Sequence, residues 1–394
     1  MISDNIRQSM AGGSMIRKMF EEGIRLSKVY GKENVYDFSL GNPDGEPPQE
    51  TLEALHDLAL QPGIHQYMPN AGFPDVRARM AAFETARSGV EVDGDLIVMT
   101  VGAAGGLNVA MKALLNPGDE VLVLAPYFVE YLTYIRNHGG VPVVVPTDPE
   151  TFQPDCAAVE RAMTPRTRAI LLNSPHNPTG VVYSRAVLEA LNGTLIRRGE
   201  ELGLDSPVCV LSDEPYSRLV YDGVEAPAMM SIFTNVLVIN SFSKALALPG
   251  ERIGYVAVHP GMQEAREVAV ALAYTNRTLG FVNAPGLLQK AVAASLDANI
   301  DIAEYQARRD LLHGIVTESG FTCAKPQGAF YLFMKSPIED DRAFSDAAAK
   351  YNLLLVPGSG FGGPGYVRLA YCVSRDLIER SRAAWHKLGR EFFA

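Results

Sequence analysis

Seven short apolar runs, at 96–100, 120–124, 141–145, 168–172, 208–211, 236–239 and 254–258, punctuate the middle of the chain. Most show no polar alternation, the pattern of strands covered on both faces. Between several of them the apolar positions change to helical spacing, as at 103–115 and 184–203. Strands alternating with helices predict an α/β fold, a three-layer, mostly parallel seven-stranded sheet flanked by helices. After about residue 285 the pattern changes. A long helix-like stretch over 284–317 leads to strand-like segments at 328–333 and 366–370, and an amphipathic helix over 375–392 closes the chain. Near the start, a helical segment precedes Val35-Tyr-Asp-Phe-Ser-Leu40, which is expected to pack on that C-terminal unit. The expected division is a large domain over 46–284 and a smaller α+β domain built from 1–45 and 285–394.

Composition narrows the function classes. With 394 residues, 47% of them hydrophobic and 20% charged, the chain can bury a sizeable core. Its net charge of -10 lacks the basic footprint of a nucleic-acid binder. No apolar run approaches the ~20 residues of a membrane span, and the polar N-terminus lacks the apolar core of a secretory signal. Cys156, Cys209, Cys323 and Cys372 are widely spaced and form no CxxC pair. Neither a metal nor a disulfide framework is expected, and a reducing cytoplasm is the expected location.

Chemically loaded residues recur where the expected strands end, and open α/β sheets place their ligands at the carboxyl ends of strands. Asn235-Val-Leu-Val-Ile-Asn-Ser-Phe-Ser-Lys244 puts Ser241, Ser243 and Lys244 just past a buried strand, with Arg252 eight residues on. A half-desolvated lysine can lose its proton and attack a carbonyl, and arginine can grip a phosphate with its fork of N–H donors. A covalently held, phosphate-bearing aldehyde fits that pair, and pyridoxal phosphate is the obvious candidate.

Thr100-Val-Gly-Ala-Ala-Gly-Gly106 opens a helix and reads either as an anion site or as an ordinary strand-to-helix turn. Phe128, in Ala125-Pro-Tyr-Phe128, reads as a ring-stacking aromatic or a core residue. Asn177 lies between Pro175 and Pro178, which pre-aim its amide; nearby His176 is given a structural role. Asp213 and Glu214 point opposite ways by strand alternation. Asp213 is the one expected to face a ligand, as partner of a protonated pyridine nitrogen, unless it serves in a salt bridge or helix cap. Arg368 lies in the apolar segment 366–370, where it holds either a substrate carboxylate or an internal counter-ion.

Taken together, these segments resemble the class I/II aminotransferases, the fold-type I pyridoxal-phosphate enzymes. The likeness runs from Ser39-Leu-Gly-Asn-Pro-Asp44 to Arg368, and its carriers are Ser-Phe-Ser-Lys244 with Arg252, Asn177-Pro-Thr-Gly180 and Asp213-Glu-Pro-Tyr216. The resemblance implies that Lys244 forms a Schiff base with pyridoxal 5'-phosphate. It implies that Asp213 partners the ring nitrogen, that Tyr216 and Asn177 donate to the phenolic oxygen, and that Phe128 rather than Tyr127 stacks on the ring. The phosphate cup falls on Gly102, Ala103, Ala104, Ser241 and Arg252, with Ser243 also among the cofactor-binding residues, and Tyr67 reaches the phosphate from a second subunit. Gly41, Asn177 and Arg368 grip the substrate α-carboxylate. A homodimer with shared sites follows, acting in two half-reactions on an amino acid and a 2-oxo acid.

Positions that read a distal carboxylate in some members look like Ala104 and Ala271 here, which puts dicarboxylate specificity in doubt; Arg277 lies near the second of them. A carbon–sulfur lyase on the same scaffold, a non-catalytic ligand-binding regulator and a nucleotide-binding oxidoreductase are the alternative readings. The regulator lacks a fused basic segment and the oxidoreductase lacks GxGxxG.

Overall fold

The computed structural model describes residues 2–3, 6–7 and 15–393. Strand β1 (Tyr36–Asp37) pairs with a late strand described below. The next seven are β2 (Ile97–Thr100), β3 (Glu120–Ala125), β4 (Val141–Pro146), β5 (Thr167–Asn173), β6 (Cys209–Asp213), β7 (Val236–Ser241) and β8 (Gly254–Val258). They form one sheet in the order β2-β8-β7-β6-β5-β3-β4. β8 runs antiparallel to both neighbours, while β3 pairs parallel with β4 and β5, as do β5 with β6 and β6 with β7. The carboxyl ends of β2, β3, β5, β6 and β7 therefore share one edge.

Every residue of β2, β6, β7 and β8 is buried, so both faces of the central sheet are covered, as the unbroken apolar runs predict. The expectation fails at β4. This strand is one of the two sheet edges and, unlike β2 at the other, is left uncovered, with Val141 and Val144 exposed. Its Pro142 and Pro146 suit that place, because an edge strand need not donate every backbone N–H.

The chain after the sheet forms a second layered unit. β9 (Tyr331–Lys335), β10 (Leu353–Leu354), β11 (Val356–Pro357) and β12 (Tyr366–Ala370) follow, with β9 and β11 flanking β12 antiparallel. β10 pairs parallel with β1, and Phe38 enters the same apolar core as Trp385, Phe344 and Leu369. The segment after the first helix thus packs on the C-terminal unit. A separate core under the large sheet runs from Val76 to Leu296.

The helix expected over 284–317 is two helices, Gly286–Ala294 and Ile302–Glu318. Tertiary bonds hold the break open. Arg218 donates to the carbonyls of Leu296 (3.0 Å) and Ala298 (2.6 Å), and Ile300 N–H donates to the Ala245 carbonyl at 3.0 Å. Asp301 then caps the second helix by accepting from Glu304 N–H. The first helix sends Val292 into the large-sheet core, and the second sends Leu312 and Ile315 into the other. Among the described residues, no helix is long and apolar enough to cross a membrane.

Candidate active site

The shared edge of carboxyl strand ends opens into a cavity of about 340 Å³. Residues from both units line it: Ser241 at the end of β7 and Lys244 beyond it, Asp213 at the end of β6, Asn177 beyond β5, and Arg368 from β12.

Lys244 is half-buried, and its Nζ donates to the Gly41 carbonyl at 2.7 Å. Burial pushes its pKa down to about 8, helped by the positive charges of Arg252 and Arg368. The Phe330 ring lies beneath the amine, 5.2 Å from its centroid. Position 41 has no room for a side chain, because a Cβ there would collide with the Tyr331 hydroxyl.

Asp213 and Glu214 separate as strand alternation predicts. Glu214 turns out of the cavity to pair with Arg87, accept from Ser212 at 2.8 Å and lie beside Glu84. Asp213 lines the cavity. Its Oδ2 accepts from the Tyr131 hydroxyl at 2.5 Å, while its Oδ1 is buried with no partner. Burial raises its pKa to about 7. Among the described residues it is neither half of a salt bridge nor a helix cap, and none of them supplies a donor to Oδ1.

Asn173, opposite Asp213 in the sheet, donates to the Asp213 carbonyl at 2.8 Å and accepts from Asn177 N–H at 2.8 Å. Asn177 Oδ1 in turn accepts from Arg368 at 3.1 Å. Tyr216 shares a 3.0 Å hydrogen bond with Tyr331, whose ring lies 4.5 Å from the Arg368 guanidinium. Arg368 is 2% exposed and also donates to the Ser39 carbonyl at 2.7 Å, but its Nε has no partner. Only neutral groups bond it, and burial lowers its pKa.

At the other end of the cavity, the helix Gly102–Leu114 presents its first turn, with Ala103 and Ala104 on the wall. The first N–H groups of a helix have no intrahelical acceptor and favour an anion. Gly102, at φ +69°, sits so close to Arg252 that an added Cβ would lie 2.8 Å from Nη2. Arg252 donates to the Pro249 carbonyl at 3.0 Å and, at 3.5 Å, to Ser243. Phe128 lines the cavity, set edge-on to Tyr131 at 5.4 Å; Tyr127 lies outside the lining, against Gly362.

Some expected residues lie elsewhere. Tyr67 is 90% exposed, in a shallow groove with Phe281 and Asn283. Ala271 and Arg277 lie on the helix Ala265–Thr278, outside the cavity lining, and Arg277 packs on Tyr274. His176 is buried against Thr179, with its pKa pushed down to about 3 by burial, and does not line the cavity. The motifs had not singled out Tyr131, Asn173, Tyr331 and Glu130, all on the wall. Asn173 carried a signal, a polar residue ending an apolar strand; Glu130 and Tyr131 carried another, polar groups two and three positions beyond Phe128.

The donor set fits pyridoxal phosphate. Three of the nine buried polar side-chain atoms that lack a partner among the described residues belong to Asp213, Arg368 and Glu130, and all three residues line this cavity. The Asp213 oxygen suits a ring N–H, Arg252 with the helix end suits a phosphate, and the Arg368 nitrogen suits a carboxylate.

Comparison with known proteins agrees. The chain is similar to an aspartate/prephenate aminotransferase of Thermus thermophilus, 35% identical over 348 residues that cover 86% of this chain and 87% of that one. It is also similar to an aromatic-amino-acid aminotransferase of Thermococcus litoralis, 30% identical over 396 residues and 98% of each chain. Among solved structures, an aminotransferase of Eubacterium rectale superposes with a TM-score of 0.96 at 38% identity, covering 100% of both chains. The aspartate aminotransferase of Thermus thermophilus with maleate gives 0.85 at 31% identity, covering 95% of this chain and 96% of that one. The family model for aminotransferase class I and II matches residues 33–384, and the chain belongs to that family.

Proposed function

We propose that this cavity binds pyridoxal 5'-phosphate and that the chain uses it to move an amino group between an L-amino acid and a 2-oxo acid in two half-reactions. One observation carries the reading: a half-buried lysine with a lowered pKa shares a cavity with a buried carboxylate oxygen that lacks a partner. When bound, the cofactor supplies an aldehyde for the lysine and a ring that draws electrons from the substrate Cα.

The chain's own groups do the rest. Lys244 would hold the aldehyde and, once released by the incoming amino acid, carry the proton taken from Cα. Asp213 would accept from the ring nitrogen and keep it protonated, with Tyr131 holding the other carboxylate oxygen in place. Asn177 and Tyr216 would donate to the ring's phenolic oxygen, and Phe128 would stack on the ring. Gly102, Ala103, Ala104, Ser241, Ser243 and Arg252 would bind the phosphate. Arg368, steadied by Asn177 and by Ser39, would grip the α-carboxylate and set the Cα–H bond for transfer.

The functional unit in this reading is a homodimer. Tyr67, Val270 and Tyr274 are exposed apolar residues of a kind that a second copy would cover, and Tyr67 would reach the partner's phosphate site. Its four cysteines are unpaired, which fits a reducing cytoplasm. The relatives are named for aspartate, prephenate and aromatic amino acids.

A half-reaction screen tests the function. Each amino acid is mixed with the yellow holoenzyme and loss of the yellow absorbance is followed. At least one donor should bleach it, and a 2-oxo acid should restore it. Release of ammonia and a 2-oxo acid without an acceptor would instead favour the lyase reading.

A further inference from the structure

The cavity holds one carboxylate that the proposed reaction does not use. Glu130 lies directly before the helix Tyr131–Asn137, and its side chain lines the wall with Tyr134 and Arg368. Its Oε2 is buried without a hydrogen-bond partner, and it forms no ion pair among the described residues. Arg368 acts on it electrostatically, but the hydrogen bonds Arg368 makes go to Asn177 and Ser39. An unpartnered oxygen on a half-buried carboxyl group is unfavourable, and desolvation raises the pKa of Glu130 against the lowering effects of its own backbone N–H and of Arg368. Three buried acids outside the cavity are, by contrast, ion-paired: Glu84 and Glu214 share Arg87, and Glu120 pairs with Arg166.

The charges on the wall decide what could meet it. Lys244, Arg252 and Arg368 are the cations lining the cavity. The proposed function commits them to the aldehyde, the phosphate and the α-carboxylate. A donor with a second carboxylate would find no free cation on this wall and would face Glu130. A donor ending in N–H groups would supply the missing partner of Oε2.

We propose that Glu130 is a specificity-determining residue that accepts a hydrogen bond from the distal ammonium, guanidinium or amide of the amino donor. The enzyme thereby favours N–H-bearing side chains over dicarboxylates. The inference rests on the aminotransferase reading of the same cavity.

The test measures kcat/KM for the first half-reaction of the holoenzyme with lysine, arginine, glutamine, aspartate, glutamate and alanine. At least one N–H donor should exceed both dicarboxylates by about tenfold or more, since a site built around a buried acceptor rejects ligands that leave it unpaired. Glu130→Gln should cut the ratio of that donor to alanine by about tenfold or more, chiefly through KM, and Glu130→Lys should move the preference toward aspartate and glutamate. A second measurement needs no turnover and no variant: 5-aminopentanoate should bind the wild-type holoenzyme more tightly than glutarate, read by the shift of its visible absorbance. Preference for the dicarboxylates, tighter binding of glutarate, or unchanged donor ratios in a folded Glu130→Gln would overturn the inference while leaving the aminotransferase intact. A holoenzyme bleached by no amino acid would overturn the proposed function, and the inference with it.

Discussion

Arg309 and Arg368 are among the largest fully buried side chains of the protein, yet their surroundings differ in kind. Arg309, on the helix Ile302–Glu318, meets Asp222 at 2.8 and 3.0 Å, Asp310 at 2.7 Å and the Pro326 carbonyl at 2.9 Å. Burial works against its charge, but the two carboxylates more than offset it and its pKa is raised. Arg368 touches no carboxylate: two neutral oxygens bond it, one nitrogen is left over, and its pKa is lowered. The adjacent acids at the end of β6 repeat the contrast. Glu214 is fully engaged by Arg87 and Ser212, whereas Asp213 keeps an orphaned oxygen. A fold that completes one member of each pair and leaves the other short has its ligand where the partners are missing.

The contrast is sharpest if residues on the incomplete side govern chemistry and those on the complete side govern stability. Lys244→Ala should carry the largest effect, a loss of roughly 10⁴-fold or more in the half-reaction, with the urea midpoint little changed. Arg368→Met should lower kcat/KM for the amino acid by roughly 10²–10³-fold, the cost of losing a buried, charge-paired anchor. It should not destabilise the fold, since no counter-charge is stranded. Arg309→Met should do the reverse, costing about 1–3 kcal/mol in unfolding experiments because the Pro326 carbonyl loses its buried donor, with normal turnover in the molecules that remain folded. An Arg309 variant that folds normally but cannot bind substrate would break the distinction.

Asp213→Asn should slow the half-reaction by roughly 10²-fold, as loss of a pre-aimed electrostatic group does. Glu214→Gln should act on stability, by about 1–3 kcal/mol, because it weakens the bond network around Arg87. A pH dependence in cofactor-free protein follows from the same groups. Asp213 titrates at about 7 when folded and about 3.9 when unfolded, so between those values the folded state binds the extra proton. Stability should therefore fall as pH rises from about 4 to 7, and Asp213→Asn should flatten that part of the slope. Lys244, at about 8 folded and about 10.4 unfolded, has the opposite sign: the unfolded state holds the extra proton, and stability should rise over that interval.

The incomplete side was also the more legible one. Lys244, Asp213, Asn177 and Ser241 sit at or just past the ends of strands buried on both faces, and such strands announce themselves as unbroken apolar runs. Alternation along β6 was enough to separate Asp213 from Glu214. The partners that tune these residues were hidden because they are distant in the chain. Tyr131 meets Asp213 across 82 positions, Tyr331 meets Tyr216 across 115, and Arg87 meets Glu214 across 127. The division of the stretch 284–317 into two helices was hidden for the same reason, since Arg218 from another part of the chain takes the carbonyls at the break. The edge position of β4 depends on strand order, and its one local signal was the proline inside the run, Pro142.

Borohydride reduction of the holoenzyme followed by peptide mass mapping tests the central claim most directly. The account predicts a pyridoxyl group on Lys244, at a stoichiometry near one per chain. A pyridoxyl group on any other residue, or none in fully loaded protein, would contradict it.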